Sequence, residues 1–453
     1  NQGTITAAEG GLVAFVAPGI KNTGVINARL GKVSLAAGNT FTLDLYGDQL
    51  VNLGVDSQVI QQVTGFNGDQ LNSLVSNSGS IYADGGVVTM DVQVAQSLID
   101  NVVNMSGYIQ ARSIAEKNGA IYLTGGNEGL VKVSGSIDAT GLNMEETGGI
   151  VHVLGNRVGL YDYALIDVSG DAGGGLILVG GDYQGLGSIP TAVENYVGPN
   201  VSIFADAVTG GNGGRTIFWA DRRTEFFGTI RSRGGRFFGD GGFAEVSGKE
   251  ELYFDGSVDT TAPNGKSGTL LLDPEYITIS GGSGTASASS AVSFTTYESV
   301  LEAVASTTNI NMVATKSITL NESLNFAQTS GQSVTFTASG GNISFTDSSD
   351  TIQTSGGNIV MNASGKLSIG KVKTNGGDIT LTGGDFSLSG TLNAGKGTLT
   401  ILGVSGETIG LDGITASTND STISTICDSS ACGLTLTQSE LSLITAAKLV
   451  IGD

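Results

Sequence analysis

The sequence predicts an all-β fold, a right-handed parallel β-helix (a solenoid) with short excursions outside the coil. Three observations predict it: an internal repeat, an alternation of apolar with small polar residues, and glycine pairs between the alternating segments. The chain has 453 residues with 71 Gly and only 5 Pro. Collagen is excluded because no G-X-Y period is present. Disorder is disfavoured because 39% of the residues are hydrophobic and regularly spaced.

The repeat is a turn residue, Gly, a short alternating strand, Gly-Gly or Gly-Lys, and a second strand. It appears as NQGTITAAEGGLVAFVAP from Asn1, NTGVINARLGKVSLAAGN from Asn22, NSGSIYADGGVVTMDVQ from Asn77 and VSGSIDATGLNMEETGGIVHVLG from Val133. A plainer form follows as GGNISFT at Gly340, GGNIVMNA at Gly356 and GGDITLTG at Gly376. Alternation with a period of two indicates strands with one buried face. A repeat unit of about 20 residues matches one turn of a parallel β-helix.

Three segments depart from the repeat. Residues 46–75 are expected to form a strand pair or a short helix outside the coil. Residues 182–200 hold Pro190 and Pro199 and are expected to be a surface excursion. Residues 281–308 begin with the linker GGSGTASASS and continue into a short amphipathic helix. The predicted domains are therefore 1–275, 276–310 and 311–453, because the arginines and most aromatics precede the linker.

The charge of the chain limits its partners. The 42 acidic and 21 basic residues give a formal net charge of −21, which repels nucleic acid. No run of about 18 apolar residues is present to span a bilayer as a helix. The N-terminal NQGTITAAEGG is not a signal peptide. We expect either that a targeting segment has been removed or that the chain is part of a longer protein.

Three stretches resemble a known family. NTGVINARLGKVSLAAGNTFTLDLYGD (22–48), ADRRTEFFGTIRSRGG (220–235) and NGKSGTLLLDPEYITIS (264–280) are similar to the exoproteins of two-partner secretion, the filamentous haemagglutinin-like adhesins of Gram-negative bacteria. The resemblance covers the first 280 residues or so, and the remainder only in repeat style. It implies a right-handed parallel β-helix, export through an outer-membrane secretion partner, and a role in adhesion or biofilm-matrix assembly. The Asn-Pro motifs of the family's secretion domain are absent, since no Asn-Pro occurs.

The two cysteines, Cys427 and Cys432, lie in CDSSAC. They form a small loop disulfide or remain free thiols. The resemblance adds a third possibility, because some of these adhesins end in a cysteine pair thought to hold the chain at its pore. With few cysteines and one histidine, no zinc site is expected. Acidic turns at 167–171, 255–259 and 347–350 are read as solvated, because the calcium-binding nonapeptide is absent.

A group of arginines is the one candidate ligand site. It consists of Arg215, Arg222, Arg223, Arg231, Arg233 and Arg236, accompanied by Phe218, Trp219, Phe226, Phe227, Phe237 and Phe238. Guanidinium groups bind carboxylates or sulfates and aromatic rings stack on sugars, so an acidic glycan is a reasonable ligand. The alternative is that the rings are core and that the arginines pair with Asp221, Glu225 and Asp240.

No catalytic residue and no cofactor are expected, so the chain is not predicted to be an enzyme. Glu145–Glu146 and Glu250–Glu251 are adjacent pairs whose members would point to opposite faces of a strand and would be solvated in a turn, so neither pair is expected to share a site. His152 alternates with aliphatic residues and is read as a strand histidine.

The expected function follows from length, rigidity and repetition. We expect a secreted, extracellular protein on the surface of a Gram-negative bacterium, acting as an adhesin or a biofilm-matrix scaffold. Its partners would be a host or bacterial surface glycan or protein. The alternative is a structural subunit that stacks end to end into a filament, a homopolymer, because no capping segment is evident at either end.

Overall fold

A computed structural model describes residues 1–38, 40–44, 52–57, 63–64, 70–92, 101–282, 295–404, 409–411 and 434–452. Among the described residues, strands account for 51% and helices for 3%, which confirms the all-β prediction. The chain divides into two compact units. Unit 1 comprises Asn1–Lys249 and Gly256–Thr269, and unit 2 comprises Glu250–Asp255 and Leu270–Asp453. Among the described residues, no helix has the length and apolarity to cross a membrane.

Unit 1 is a coil with three walls of parallel strands. The short-strand wall has nine strands: Thr4–Thr6, Val25–Asn27, Ser80–Tyr82, Tyr108–Gln110, Ser136–Asp138, Leu165–Asp167, Ser202–Phe204, Thr229–Arg231 and Ser257–Asp259. The second wall contains Leu12–Ala17, Lys32–Ala37, Val87–Val92, Ala120–Thr124, Ile150–Leu154, Leu176–Val179, Arg215–Phe226 and Phe243–Gly248. The third wall contains Ile20–Asn22, Val75–Asn77, Asn101–Met105, Leu130–Val133, Arg157–Leu160, Ala192–Val197 and the second half of Arg215–Phe226.

One buried column shows why the repeat produces this coil. The central residue of each short strand points inward and pairs in register with the central residue of the next strand. From Ile26 the column continues through Ile81, Ile109, Ile137, Ile166, Ile203 and Ile230, each fully buried. β-Branched side chains pack well on a pleated surface, and parallel stacking places identical residues against each other. The predicted parallel β-helix is therefore confirmed.

Glycines let the coils of unit 1 approach one another. A Cβ added to Gly107 would lie 2.2 Å from the carbonyl oxygen of Gly79, one coil away. The same holds at 2.1 Å for Gly79 against Gly24 and at 2.0 Å for Gly135 against Gly107. The recurring Gly of the repeat is thus required by contact between backbones rather than by an unusual φ angle.

A buried asparagine ladder fills the first coils of the third wall. Asn22 and Asn77 are both fully buried. The Asn22 amide donates to Asn77 Oδ1 over 2.7 Å, and Asn1 donates to Asn22 Oδ1 over 2.9 Å. Met105 takes the next position in this column. The ladder satisfies polar groups that would otherwise destabilise the core.

Unit 2 is also a three-walled parallel coil. Its first wall contains Ile277–Ser280, Thr295–Tyr297, Ile318–Leu320, Ile343–Phe345, Lys366–Ile369 and Asp385–Leu388. The second contains Leu324–Phe326, Thr351–Thr354, Lys371–Lys373, Leu392–Asn393 and Ile444–Thr445. The third contains Asn309–Ala314, Ser333–Ala338, Asn358–Ala363, Ile379–Gly383, Thr398–Gly403 and Lys448–Ile451. Glu251–Phe254, Thr269–Leu272, the parallel pair Ile409–Leu411 and Leu434–Leu436, and the helices Glu298–Glu302 and Gln438–Leu441 complete the elements.

The length of the coil differs between the units. In unit 2, Ile359, Ile379 and Leu399 are register partners 20 residues apart, as the repeat predicts. In unit 1, Ile109 and Ile137 are register partners 28 residues apart, because the longer loop 111–119 separates the short strand Tyr108–Gln110 from Ala120–Thr124. The predicted repeat length of about 20 residues is therefore correct for these coils of unit 2 and too short for this part of unit 1.

The predicted excursions are present with altered bounds. Thr40–Asp44 and Asn52–Ser57 form an antiparallel pair, the first of the two expected alternatives, whereas residues 46–51, 58–62 and 65–69 of the predicted range lie outside the described residues. In 182–200, the excursion contains the 3-10 turn Tyr183–Gly185 and ends before Ala192–Val197, which rejoins the third wall. Helix Glu298–Glu302 confirms the expected short helix, while 283–294 are not described. The three-domain scheme itself stays a prediction.

Candidate ligand-binding cleft

The last residue of each short strand in unit 1 points outward, because its neighbour in the isoleucine column points inward. Register pairing aligns Asp138, Asp167, Phe204, Arg231 and Asp259 in one outer column. Neighbouring strands of a sheet are about 4.8 Å apart, so the column presents one such side chain at that interval. Four charged side chains and one aromatic ring from five coils are thereby brought to one face.

The carboxylates of this column bind the corner that follows each strand. The pairs are Asp138–Thr140, Asp167–Ser169 and Asp259–Thr261. In each pair Oδ1 accepts the backbone N–H two residues later, over 2.9 to 3.1 Å. Burial alone would raise the pKa of Asp138, but hydrogen bonds from Arg112 and Thr140 lower it overall. Burial raises the pKa of Asp167. These are turn-stabilising contacts of a kind common for Asp.

The coil that carries Arg231 departs from this pattern. Asp206, from the preceding coil, is almost fully buried and accepts the Arg233 backbone N–H over 2.9 Å. Its carboxylate also pairs with Arg231 and Arg233, each through Nη2 at 2.8 Å. The Arg231 guanidinium lies 4.0 Å from the centre of the Phe204 ring. Hydrogen bonding to Asp206 raises the pKa of Arg233. One carboxylate thus holds two guanidinium groups in fixed positions.

These side chains form the floor of a cleft of about 510 Å³ in unit 1. Its charged lining residues are Asp167, Asp206, Asp259, Arg231, Arg233 and Arg236, and its apolar ones include Leu142, Val208 and Pro263. A volume between about 300 and 1,000 Å³ is typical of small-ligand sites. The cleft therefore has the size and the mixed lining of a ligand-binding site.

Exposed apolar side chains lie on the stacked loops beside the cleft. Phe237 and Phe238 are each 64% exposed, and Met144 is 84% exposed. Arg236 lies over the Phe237 ring at 5.5 Å, and its backbone N–H donates to Val208 O over 3.2 Å. Large exposed aromatics are unusual outside interaction surfaces, so these loops add an apolar rim to the charged floor.

The structure divides the six candidate arginines between different surfaces. Arg231, Arg233 and Arg236 line the cleft. Arg222 and Arg223 lie instead in Arg215–Phe226, where they pair with Glu194 and Glu225. Arg215 projects over the rings of Tyr183 and Phe243, at 5.0 and 5.3 Å. Ligand binding by any of them stays a prediction.

The aromatic residues follow the alternative interpretation in part. Phe218 and Phe226 are fully buried and contact each other edge to face at 5.1 Å. Trp219 is 6% exposed and packs with Leu178 and Ile217, beneath Tyr183 and Ile189 of the excursion. Its Nε1 donates to Asp221 Oδ1 over 3.1 Å. Trp219 lies in this apolar cluster, outside the cleft lining, and Phe227 contacts Tyr196 at 6.0 Å.

Sequence reasoning missed Asp206, the residue on which the cleft depends. Asp206 is 25 residues from Arg231, whereas Asp221, Glu225 and Asp240 were considered because they are near in sequence. The sequence did contain one signal. Asp206 lies two residues after the short strand Ser202–Phe204, and Arg233 lies two residues after the short strand Thr229–Arg231, so the two residues occupy equivalent positions on successive coils.

Within the described part of the chain, His152 and Glu146 lie outside the lining of the cleft. Burial lowers the pKa of His152, whose ring packs edge to face on Tyr122 at 5.0 Å. Glu146 accepts hydrogen bonds from Asn143 and from the Ala115 N–H, and so connects two loops. Among the described residues, no cluster of three or more metal-ligating side chains occurs. Cys427 and Cys432 lie outside the described residues.

Comparison with family models and with curated proteins gives no match to this chain. The class of the protein is therefore assigned from its structure: it is a parallel β-helical repeat protein with a cleft in unit 1.

Proposed function

We propose that this chain is a secreted bacterial adhesin or biofilm-matrix scaffold, in which β-helical coils hold a binding cleft in a fixed position. The cleft with the Asp206–Arg231–Arg233 network is the observation that carries the proposal. The partner would be a glycan or a protein on a host or bacterial surface. The resemblance to two-partner secretion exoproteins supports export through an outer-membrane partner for the full-length protein.

Rigidity is the physical argument for this role. Asp167, Arg231 and Asp259 are fixed by backbone pairing to neighbouring coils, so a ligand does not have to order these residues when it binds. Asp206 removes the freedom of two long arginine side chains before any ligand arrives. A binding surface whose side chains are ordered in advance is suited to recognising a ligand. The proposal assigns no catalytic step to the chain.

Adhesion is tested with beads coated with the purified chain and presented to bacterial and epithelial cells. We expect saturable binding that excess soluble chain displaces, and weaker binding after Arg236→Ala. Arg222→Ala is the matched control, because Arg222 is also a partly exposed arginine but lies outside the cleft. Absence of saturable binding to every surface would reject the proposal. Electron micrographs showing continuous filaments in place of separate particles would favour the end-to-end subunit instead.

A further inference from the structure

The charges of the cleft balance in number but are separated in space, because its three guanidinium groups lie around Asp206 and its other two carboxylates lie on neighbouring coils. Arg231 and Arg233 share the single carboxylate of Asp206, so this trio keeps one formal positive charge. Arg236 adds a second, since its guanidinium has no ion-pair partner within the described residues and contacts only the Phe237 ring. Arg231, Arg233 and Arg236 with Asp206 thus form a positive centre within the cleft, and an anion is attracted to this centre although the chain has a net charge of −21.

Carboxylates flank this positive centre along the axis of the coil. Asp259 is the register partner of Arg231 on the next coil, and Asp167 is two coils away on the other side. The backbone N–H groups at these corners donate to Oδ1, and we assign Oδ2 of each carboxylate as the acceptor for a ligand donor. Two carboxylates at these positions disfavour a polyphosphate or nucleic acid, whose charge continues in both directions. They favour a ligand with one anionic group and hydroxyl donors beside it.

The rim supplies a third element. Leu142 and Val208 are about half exposed and line the cleft together with Pro263. Their apolar groups lie above the charged floor, where the C–H face of a sugar ring would bury them.

A planar guanidinium matches a carboxylate through two parallel hydrogen bonds, which a compact ammonium does not provide.

From these three elements we infer that the cleft recognises an acidic sugar residue that carries a carboxylate and free hydroxyls, such as a hexuronate unit of a polysaccharide. The carboxylate binds at Arg236 and at the outward edge of the Arg231–Arg233 pair. The ring hydroxyls donate to Asp167 and Asp259. Arg231 and Arg233 are positioned by Asp206, so Arg236 is the residue whose loss removes a ligand contact without disturbing the floor. This inference rests on the proposed function and names its ligand class.

Calorimetric titration of the whole chain with oligogalacturonate provides the test, with the carboxyl-reduced oligosaccharide and a sulfated neutral oligosaccharide of equal length as comparisons. We expect binding of the first, at least about tenfold weaker binding of the reduced form, and weaker binding of the sulfated form. Arg236→Ala should weaken oligogalacturonate binding by about tenfold or more, the usual worth of a charge-assisted hydrogen bond. Arg222→Ala should leave it unchanged. Equal affinity for the reduced form overturns the inference.

Asp259→Asn separates the two roles that a flanking carboxylate can have. If Asp259 accepts a hydroxyl, the variant binds oligogalacturonate more weakly. If the carboxylate only repels the anion, the variant binds more tightly, and the hydroxyl assignment is overturned. A wild-type chain that adheres to cells in the bead assay but binds no acidic oligosaccharide refutes the ligand class while the adhesin proposal stands. A chain that does neither refutes both.

Discussion

Replacement of Gly107 by alanine tests the stacked-coil arrangement directly. Gly107 has no unusual φ angle, so alanine is compatible with its backbone. The added Cβ would nevertheless lie 2.2 Å from Gly79 O and 2.7 Å from Ser78 C on the neighbouring coil. Gly3 occupies the equivalent turn at the start of the same column, and a Cβ there meets nothing within 4 Å. Gly3→Ala is therefore a matched control.

The size of the effect follows from the contacts that must open. An ordinary Cβ contact begins at 3.4 Å, so the two coils must separate locally by more than 1 Å. Such a shift breaks the hydrogen bonds from Tyr108 N to Gly79 O and from Gly107 N to Asn77 O, both 2.9 Å long. Each lost bond costs about 1 kcal/mol, and overpacking adds about 1–3 kcal/mol. Alanine recovers about 0.4–1 kcal/mol by restricting the unfolded chain. We expect a net loss of about 2–4 kcal/mol.

Urea unfolding followed by circular dichroism measures the difference between the two variants. Because a solenoid opens locally, hydrogen exchange of the amides in Ser80–Tyr82 and Tyr108–Gln110 gives a second, site-specific measurement. Gly3→Ala should unfold like the wild type, and Gly107→Ala at a clearly lower urea concentration with faster exchange in these two strands. If both variants unfold within about 0.5 kcal/mol of each other, close stacking of the coils at Gly79 and Gly107 is refuted.

Three further perturbations follow from buried groups of unit 1. Ile137→Ala should lower the free energy of unfolding by about 2–5 kcal/mol and Ile137→Val by about 1 kcal/mol, since Ile137 is fully buried; equal urea midpoints would contradict its place in the column. The single Trp219 should show weak acrylamide quenching that increases in Gly185→Ala, because that Cβ would lie 2.4 Å from the indole nitrogen; strong quenching in the wild type would place Trp219 at the surface. His152 has a pKa below its ordinary value of 6.5 because burial disfavours the charged ring. The unfolded chain therefore binds the proton first, so stability decreases as the pH falls through 6.5 towards the folded-state pKa; this decrease should become smaller in His152→Phe, and an unchanged urea-midpoint profile would contradict the assignment.

The candidate site shows where reasoning from sequence reaches its limit. Alternation alone places Phe226 inward in its strand, and the structure agrees. The partner of Arg231 and Arg233 was not predictable in the same way, because Asp206 belongs to the preceding coil. Residues one coil apart are neighbours in space, so the ion pairs of a β-helix are set by coil length. That length is 37 residues between Ile166 and Ile203 but 27 between Ile203 and Ile230, because the first interval contains the excursion at Tyr183–Gly185.

By itself, the sequence determined the all-β class, the parallel coil and the inward face of each strand. These are local properties: a period of two, β-branched residues and glycine at each turn act within a few residues of chain. Only the tertiary structure decided which coil lies on which, and therefore that Arg231 and Arg233 meet Asp206 while Arg222 meets Glu194. The register between coils is the sum of all the loops between them. No short sequence pattern determines that sum. The cleft could therefore be identified only from the tertiary structure.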